Sequence, residues 1–238
     1  MTEEISRLKA MVEESDNIVF FGGAGVSTES GIPDFRSVDG LYHQHYKYPP
    51  ETILSASFFA KNPEEYYRFH HDKLRLGDAK PNAAHRKLAE WERQGKLKAV
   101  ITQNIDGLHQ AAGSKNVIEL HGSLLRAYCA SCGKQYPHSV INDGEGVPRC
   151  SCGGVIRPDI VLYEEPLREE NIEAAVHYIR HADLLIIGGT SLVVYPAAGL
   201  IRYYRGDKLV LVNKGATSAD RSADLVIHEK IGEVFAQL

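Results

Sequence analysis

The sequence predicts an α/β protein built on a parallel sheet, and three observations carry that prediction. Short β-branched or aromatic runs, at residues 17–21, 97–102, 184–187 and 208–213, have the length and apolar character of strands buried on both faces. Segments of helical period separate them, as βαβ units require. A glycine-dense turn follows the first run at once, which suits a ligand crevice at the carboxyl ends of the strands.

Taken in order, residues 2–15 place Ile5, Leu8, Met11 and Val12 at helical spacing, with Glu3 and Glu4 in the first turn where the helix dipole favours acids. The first strand, 17–21, leads into Gly22, Gly23, Ala24 and Gly25. Without a Cβ these glycines are expected to reach positive φ and let backbone N–H groups approach a phosphate. Residues 23–28 depart from the dinucleotide fingerprint, which wants Gly or Ala where Thr28 stands. The tail from Ser30 to Arg36 adds Pro33, Asp34, Phe35 and Arg36, which serve equally as a pocket wall or as a polar strand-to-helix turn.

Residues 37–80 are rich in Tyr and His, contain Pro49-Pro50 and open a helix at Asn62-Pro63-Glu64-Glu65. Another helix runs from Pro81 to about Gln94, closed by Gly95 ahead of the strand at 97–102. A third strand at 117–120 delivers His121-Gly122 at its end. From Cys129 to Cys152 the pattern becomes short and turn-rich, the mark of a separate small module. Strand character returns at 156–163, a helix is expected over 168–181, and the strand ending in Gly188-Gly189-Thr190-Ser191 repeats the strand-into-glycine theme. Strands at 208–213 and 223–227 and a C-terminal helix complete the chain.

The chain has 238 residues, enough for one large domain with insertions. Its net charge of −4 offers no electrostatic footprint for nucleic acid or an acidic membrane. The start lacks a basic segment followed by an apolar one, and no window has the ~18 apolar residues of a membrane helix, so a cytoplasmic location is expected.

Four cysteines, Cys129, Cys132, Cys150 and Cys152, fall within one short span, which in a reducing compartment points to metal instead of disulfides. Four thiolates suffice for a closed tetrahedral structural zinc stapling an otherwise coreless loop. The second pair has one intervening residue, a tight arrangement that Gly153-Gly154 could relieve. His121 at a strand end has the ordinary pKa of a general base, although a single histidine also fits a structural role. Gln103, Asn104 and Asp106 form a polar cluster that could hold a ribose hydroxyl or a carboxamide, or cap the next helix. Thr190 and Ser191 offer a second phosphate or ribose contact, or a helix N-cap.

Together, residues 23–36, the run Thr102-Gln103-Asn104-Ile105-Asp106-Gly107-Leu108-His109, His121-Gly122, the four cysteines, Gly189-Thr190-Ser191-Leu192 and Val212-Asn213 resemble the sirtuin family of NAD-dependent protein-lysine deacylases along nearly the whole chain. The resemblance implies a Rossmann-like NAD-binding domain from residues 1–36, 81–124 and 156–238, a helical insertion at 37–80 and a zinc-binding module at 125–155. It implies that NAD is a consumed co-substrate and that one structural Zn2+ is held by the four cysteines. His121 and Asn104 would be catalytic, His121 as the base acting on the ribose hydroxyls once the acyl-lysine oxygen has attacked C1′. Ala24, Phe35, Ile105 and Asp106 would form the nicotinamide pocket. Thr28, Arg36, Gln103, His121, Thr190, Ser191, Asn213 and Ile231 would complete the cofactor contacts. Acyl-lysine peptides would add as a strand near Val161–Tyr163, with no specific nucleic acid and no membrane as partners.

Many relatives have a bulky aromatic residue and a glycine in the segment that here reads Ile160-Val161-Leu162-Tyr163-Glu164-Glu165. Relatives that remove acidic acyl groups carry a Tyr and an Arg in the helical insertion. Here Tyr67 is present but His70 stands at the Arg position, so an acetyl or other uncharged acyl group is expected. The same ribosyl chemistry could also serve a mono-ADP-ribosyltransferase or an NAD glycohydrolase.

Overall fold

The structure, a computed structural model, describes residues 2–35, 40, 47–75, 77–144 and 146–238. Helix α1 (Glu3–Glu13) starts at Thr2, whose hydroxyl accepts the Ile5 N–H, and it buries Ile5, Leu8 and Val12. Strand β1 (Ile18–Gly22) is buried at every position. Two short 3-10 turns, Ala24–Val26 and Thr28–Ser30, stand where a nucleotide-binding βα unit would start its helix, and Gly31 closes the second at φ +85°. Helices α2 (Pro50–Ile53), α3 (Ala56–Lys61) and α4 (Pro63–Lys73) follow.

Helix α5 (Ala83–Arg93) opens on a capping box in which Asn82 and His85 satisfy each other's backbone amide donors. Then come β2 (Leu97–Thr102), α6 (Leu108–Ala111), β3 (Val117–Glu119), β4 (Gly122–Cys129), β5 (Gln135–Pro137) and α7 (Ser139–Asn142). The chain ends with β6 (Ile156–Ile160), α8 (Glu169–His181), β7 (Leu184–Gly188), a 3-10 segment at Ala197–Tyr203, β8 (Leu209–Val212), β9 (Leu225–Ile227) and α9 (Ile231–Phe235).

Six strands pair in the order β3-β2-β1-β7-β8-β9, every pairing parallel. This is the Rossmann-like order, and its topological switch point lies between β1 and β7, where ligands bind beyond the strand carboxyl ends. Alternate residues of β1 face opposite cores. Ile18 and Phe20 pack with α1, α5 and α9, including Trp91 and Phe235, while Val19 and Phe21 pack with α8.

The run at 156–163 behaves differently from a strand of the main sheet: β6 pairs antiparallel with β4 in a second, three-stranded sheet ordered β5-β4-β6. One face of that sheet is apolar, through Leu124, Ala127, Cys129, Ile156 and Ile160, and the aromatic residues Phe58, Phe59, Tyr66 and Tyr67 cover it. The cysteine segment is therefore not coreless, as the sequence suggested; it shares one core with the helical insertion.

Candidate active site

The site is built at the switch point, where the loop after β1 meets the loop after β7. The Gly23 N–H donates to the Gly188 carbonyl at 3.2 Å and the Gly25 N–H to the Gly189 carbonyl at 2.8 Å. A Cβ on Gly25 would lie 2.8 Å from the Gly189 oxygen, and one on Gly23 would lie 2.8 Å from the Thr190 Cβ. Gly22, Gly23 and Gly25 have no positive φ. The expectation that they cradle phosphate through left-handed backbone is thus corrected: they are glycines because two chain segments touch there, and two of their amides hold β7 instead of a ligand.

Polar side chains beyond β2 close the floor. Asn104 and Asp106, just past the end of β2, are both buried. Ser27 joins them: its hydroxyl donates to the Asp106 carboxylate at 2.7 Å and accepts from the Asn104 amide at 3.1 Å. Burial pushes the Asp106 carboxyl up, opposed by Ser27 and by the Leu108 N–H, which donates at 2.9 Å. Gln103 ties the ends of three strands together, its N–H donating to the Gly22 carbonyl at 3.0 Å and its side-chain amide to the Thr190 hydroxyl at 3.1 Å.

The Gln103 carbonyl also faces His121 Nδ1 at 2.9 Å. A carbonyl only accepts, so Nδ1 carries the proton and Nε2 keeps its lone pair. No hydrogen bond engages Nε2 among the described residues. Burial lowers the His121 pKa below 6.5, against the Gln103 bond, so the ring is neutral and basic at neutral pH. Gly122 beside it, at φ +77°, admits no side chain: a Cβ there would meet the Asp159 oxygen at 2.0 Å.

Hydrogen bonds or direct packing thus bring Gln103, Asn104, Asp106, His121 and Thr190 together around the Gly23–Ser27 loop that contains Ala24. Phe35 and Ile105 are half-buried and pack against the core shared by α3, α4 and β4. Thr28 is exposed and its hydroxyl donates to the Gly25 carbonyl at 3.0 Å. Ser191 is exposed just beyond β7, and Asn213 follows β8 with its amide on the Gly215 carbonyl at 2.7 Å. The Ile231 side chain is buried under Gly188, where a Cβ would lie 2.3 Å from its Cδ1, so only its backbone is available to a ligand. Arg36 lies outside the described residues. The sequence-based expectation misses Ser27 and also Glu29, whose carboxylate accepts the Gly232 N–H at 2.6 Å and fixes the start of α9. No local signal points to Ser27, because its two partners lie 77 and 79 residues further along the chain.

The four cysteine sulfurs lie within 4.8 Å of one another, with Cys129 to Cys152 at 3.5 Å and Cys132 to Cys150 at 3.7 Å. A tetrahedral zinc with bonds of about 2.3 Å needs sulfurs about 3.8 Å apart, so the quartet fits that ion. The Cys152 N–H and then the Tyr136 hydroxyl, 3.0 Å from Cys150 Sγ, draw the Cys150 thiol down to about 6. The Gly154 N–H acts the same way on Cys152, but the neighbouring Cys129, Cys132 and Cys150 push it up to about 12. Four sulfurs this close need a cation before all can ionise. The short second spacing is accommodated by Gly153 at φ +86° and by Gly154, whose Cβ would lie 2.8 Å from Cys129 Sγ.

From within β6, the Arg157 guanidinium donates to both oxygens of Glu165 at 2.6 and 2.9 Å, and beyond the strand the Leu162 N–H donates to Glu165 at 2.8 Å. Arg157 also stacks over Phe59 and Tyr128, at 5.4 and 5.7 Å from the ring centres. Burial works against the Glu165 charge, but Arg157 and the Leu162 N–H hold its carboxyl below the usual range.

A Rossmann-like sheet with a polar constellation at its switch point, and a four-cysteine module packed alongside, define a nucleotide-binding α/β protein with a structural metal centre. The Sir2 family model matches residues 23–196, which takes in the β1 loop, His121 and all four cysteines. The chain belongs to the Sir2 family. It is 57% identical over 242 residues to an NAD-dependent protein deacetylase of Clostridium perfringens, covering 100% of this chain and 99% of the relative. A solved Sir2–p53 peptide–NAD+ complex superposes with a TM-score of 0.88 at 42% identity, covering 100% of this chain and 97% of the other. A Sir2 complex with deacetylated p53 peptide and 3′-O-acetyl ADP ribose gives 0.90 at 41% identity, covering 98% and 96%.

Proposed function

We propose that this protein is an NAD-dependent protein-lysine deacetylase that consumes NAD and releases nicotinamide and O-acyl-ADP-ribose. The observation that carries the reading is His121, held by Gln103 with a basic Nε2, beside the buried Asn104–Ser27–Asp106 chain. NAD supplies an electrophilic ribose carbon and a leaving nicotinamide. His121 takes a proton from a ribose hydroxyl at Nε2. Asp106 accepts from the carboxamide, Asn104 orients the reacting ribose, and Ala24, Phe35 and Ile105 wall the nicotinamide. Thr28, Arg36, Gln103, Thr190, Ser191, Asn213 and the Ile231 backbone hold the remainder of the dinucleotide.

Cys129, Cys132, Cys150 and Cys152 hold one Zn2+, whose part is structural. We assign residues 1–36, 81–124 and 156–238 to the NAD-binding domain, 37–80 to the helical insertion and 125–155 to the zinc module, with β4 and β6 crossing the joins. An acyl-lysine peptide adds along Val161–Tyr163. Tyr163 is paired through its amide and carbonyl with Leu54 and Ala56, Leu162 through both groups with Glu165, and the Val161 amide with His121, so the peptide is met through the Val161 carbonyl and the side chains of that segment. His70 is buried and its pKa is lowered to about 3, chiefly by burial, so it offers no cation to an acidic acyl group. Acetyl or another uncharged acyl is the substrate class. Four free thiols suit a reducing, cytoplasmic setting.

The test is incubation of zinc-replete protein with NAD and an acetyl-lysine peptide. Equal amounts of nicotinamide and O-acetyl-ADP-ribose are expected, and the His121→Ala variant should bind NAD yet not turn over. Nicotinamide release or label transfer to protein that ignores the acyl-peptide would replace the reading with an ADP-ribosyltransferase or glycohydrolase.

A further inference from the structure

The segment after β6 is gripped from two sides by consecutive glutamates. Glu165 turns back onto Arg157 and the Leu162 N–H. Glu164 reaches outward to α3, where its carboxylate accepts the Ser57 N–H at 2.9 Å and the Ser57 hydroxyl at 3.0 Å. It does so from φ +76°, a left-handed backbone that side chains rarely adopt; among the described residues only Leu192 shares it without being glycine.

What holds Glu164 there is visible in the three amides that open α3. The Ala56 N–H donates to the Tyr163 carbonyl at 3.0 Å, the Ser57 N–H to Glu164, and the Phe58 N–H to the Ser55 hydroxyl at 3.2 Å. Two of these three donors, which have no intrahelical partner, are therefore filled by the loop, one of them by a carboxylate, the group that the positive end of a helix favours. The Tyr163 N–H completes the junction by donating to the Leu54 carbonyl at 2.9 Å. Tyr163 itself, at 37% exposure, lies on the surface between the two grips.

We propose that Glu164 is a positioning residue for the peptide substrate, clamping the Val161–Tyr163 segment to α3 so that its edge is formed before the peptide arrives. The inference rests on the deacetylase reading for the identity of that substrate. Holding the edge in place during folding removes an ordering cost from binding, so the clamp acts on peptide KM and not on the chemical step. Glu165 fixes the same loop to β6 and leaves its attachment to α3 to Glu164 and the Tyr163 backbone.

Three variants and two readouts test it. Glu164→Gln keeps an acceptor for Ser57 and is expected to hold peptide KM within about twofold of the parent. Glu164→Ala and Glu164→Gly lose the clamp and are expected to raise peptide KM about five- to tenfold, with kcat and the KM for NAD shifted less than about twofold. Glycine relieves the left-handed backbone, so a peptide KM that stays high in Glu164→Gly separates the clamp from strain; a parental value there overturns the proposal. Hydrogen exchange of the substrate-free protein gives a readout independent of turnover. The Ala56 and Ser57 amides are expected to exchange faster in Glu164→Gly than in the parent, and unchanged exchange overturns the clamp. Absence of parental turnover alongside faster exchange would sink the deacetylase reading, and the peptide role with it, while leaving the clamp standing.

Discussion

At the scale of single residues the site works by holding two groups in opposite states. His121 is kept neutral by burial, while the Gln103 carbonyl holds the ring proton on Nδ1 and leaves the lone pair on Nε2. Asp106 is buried, and its charge is sustained by Ser27 and the Leu108 amide. Because burial lowers the His121 pKa, the proposed base is neutral at neutral pH and is lost by protonation on the acid side. The acid limb of kcat/KM is therefore expected below 6.5, and a limb centred above 6.5 would argue against the assignment. Ser27→Ala removes one of two donors from a buried carboxylate and frees the Asn104 amide. It is expected to raise the KM for NAD by about tenfold, measured by steady-state kinetics at saturating peptide. Ser27 was in plain view in the sequence, yet its role was not, because a bridging serine is defined by two partners far along the chain.

At the scale of elements, helices α3 and α4 and the β5-β4-β6 sheet that carries Cys129 share one core and stabilise each other. Phe59 lies beneath Arg157 and packs edge-on to Tyr66 at 4.8 Å. Phe59→Ala should cost about 3–5 kcal/mol in denaturant unfolding and expose the β4–β6 sheet to hydrogen exchange. Gly154→Ala would set a methyl 2.8 Å from Cys129 Sγ and 2.5 Å from Ser131 Oγ. The expected result is a lower zinc content by metal analysis and a lower Tm that added zinc does not restore. The strands β1, β2, β7 and β8 were legible from their apolar runs, and the cysteine quartet from its spacing. The shared core was not, since nothing local says that the aromatic face of α3 and α4 meets a sheet that begins 49 residues after α4 ends. The glycines were read correctly as special and for the wrong reason: close approach to Gly189, which sequence does not display, decides them.

At the scale of the whole molecule, buried neutral histidines set the acid tolerance of the fold. Burial lowers His70 to about 3 and His85 to about 4, and holds His109 well below 6.5. The unfolded chain takes up protons at these sites as pH falls through 6.5 while the folded chain does not. Stability is therefore complete above 6.5 and is lost as pH drops toward the folded values, by about 1.4 kcal/mol per pH unit for each histidine. Calorimetric unfolding at pH 7 and pH 5 should show this loss, and His70→Phe should flatten it by about one histidine's share; an unchanged slope would mean that His70 is protonated in the fold. The sheet order places Gln103, Asn104, His121, Thr190 and Asn213 just beyond the carboxyl ends of their strands, a convergence that the sequence supports only through motifs far apart in the chain.

The central claim is that this edge uses His121 to couple NAD consumption to an acyl-lysine. Mass spectrometry of the products formed from NAD and an acetyl-lysine peptide tests it most directly. The account predicts one O-acetyl-ADP-ribose for each deacetylated peptide with the parent protein and none with His121→Ala. Peptide-independent loss of NAD, or the same product from His121→Ala, would contradict it.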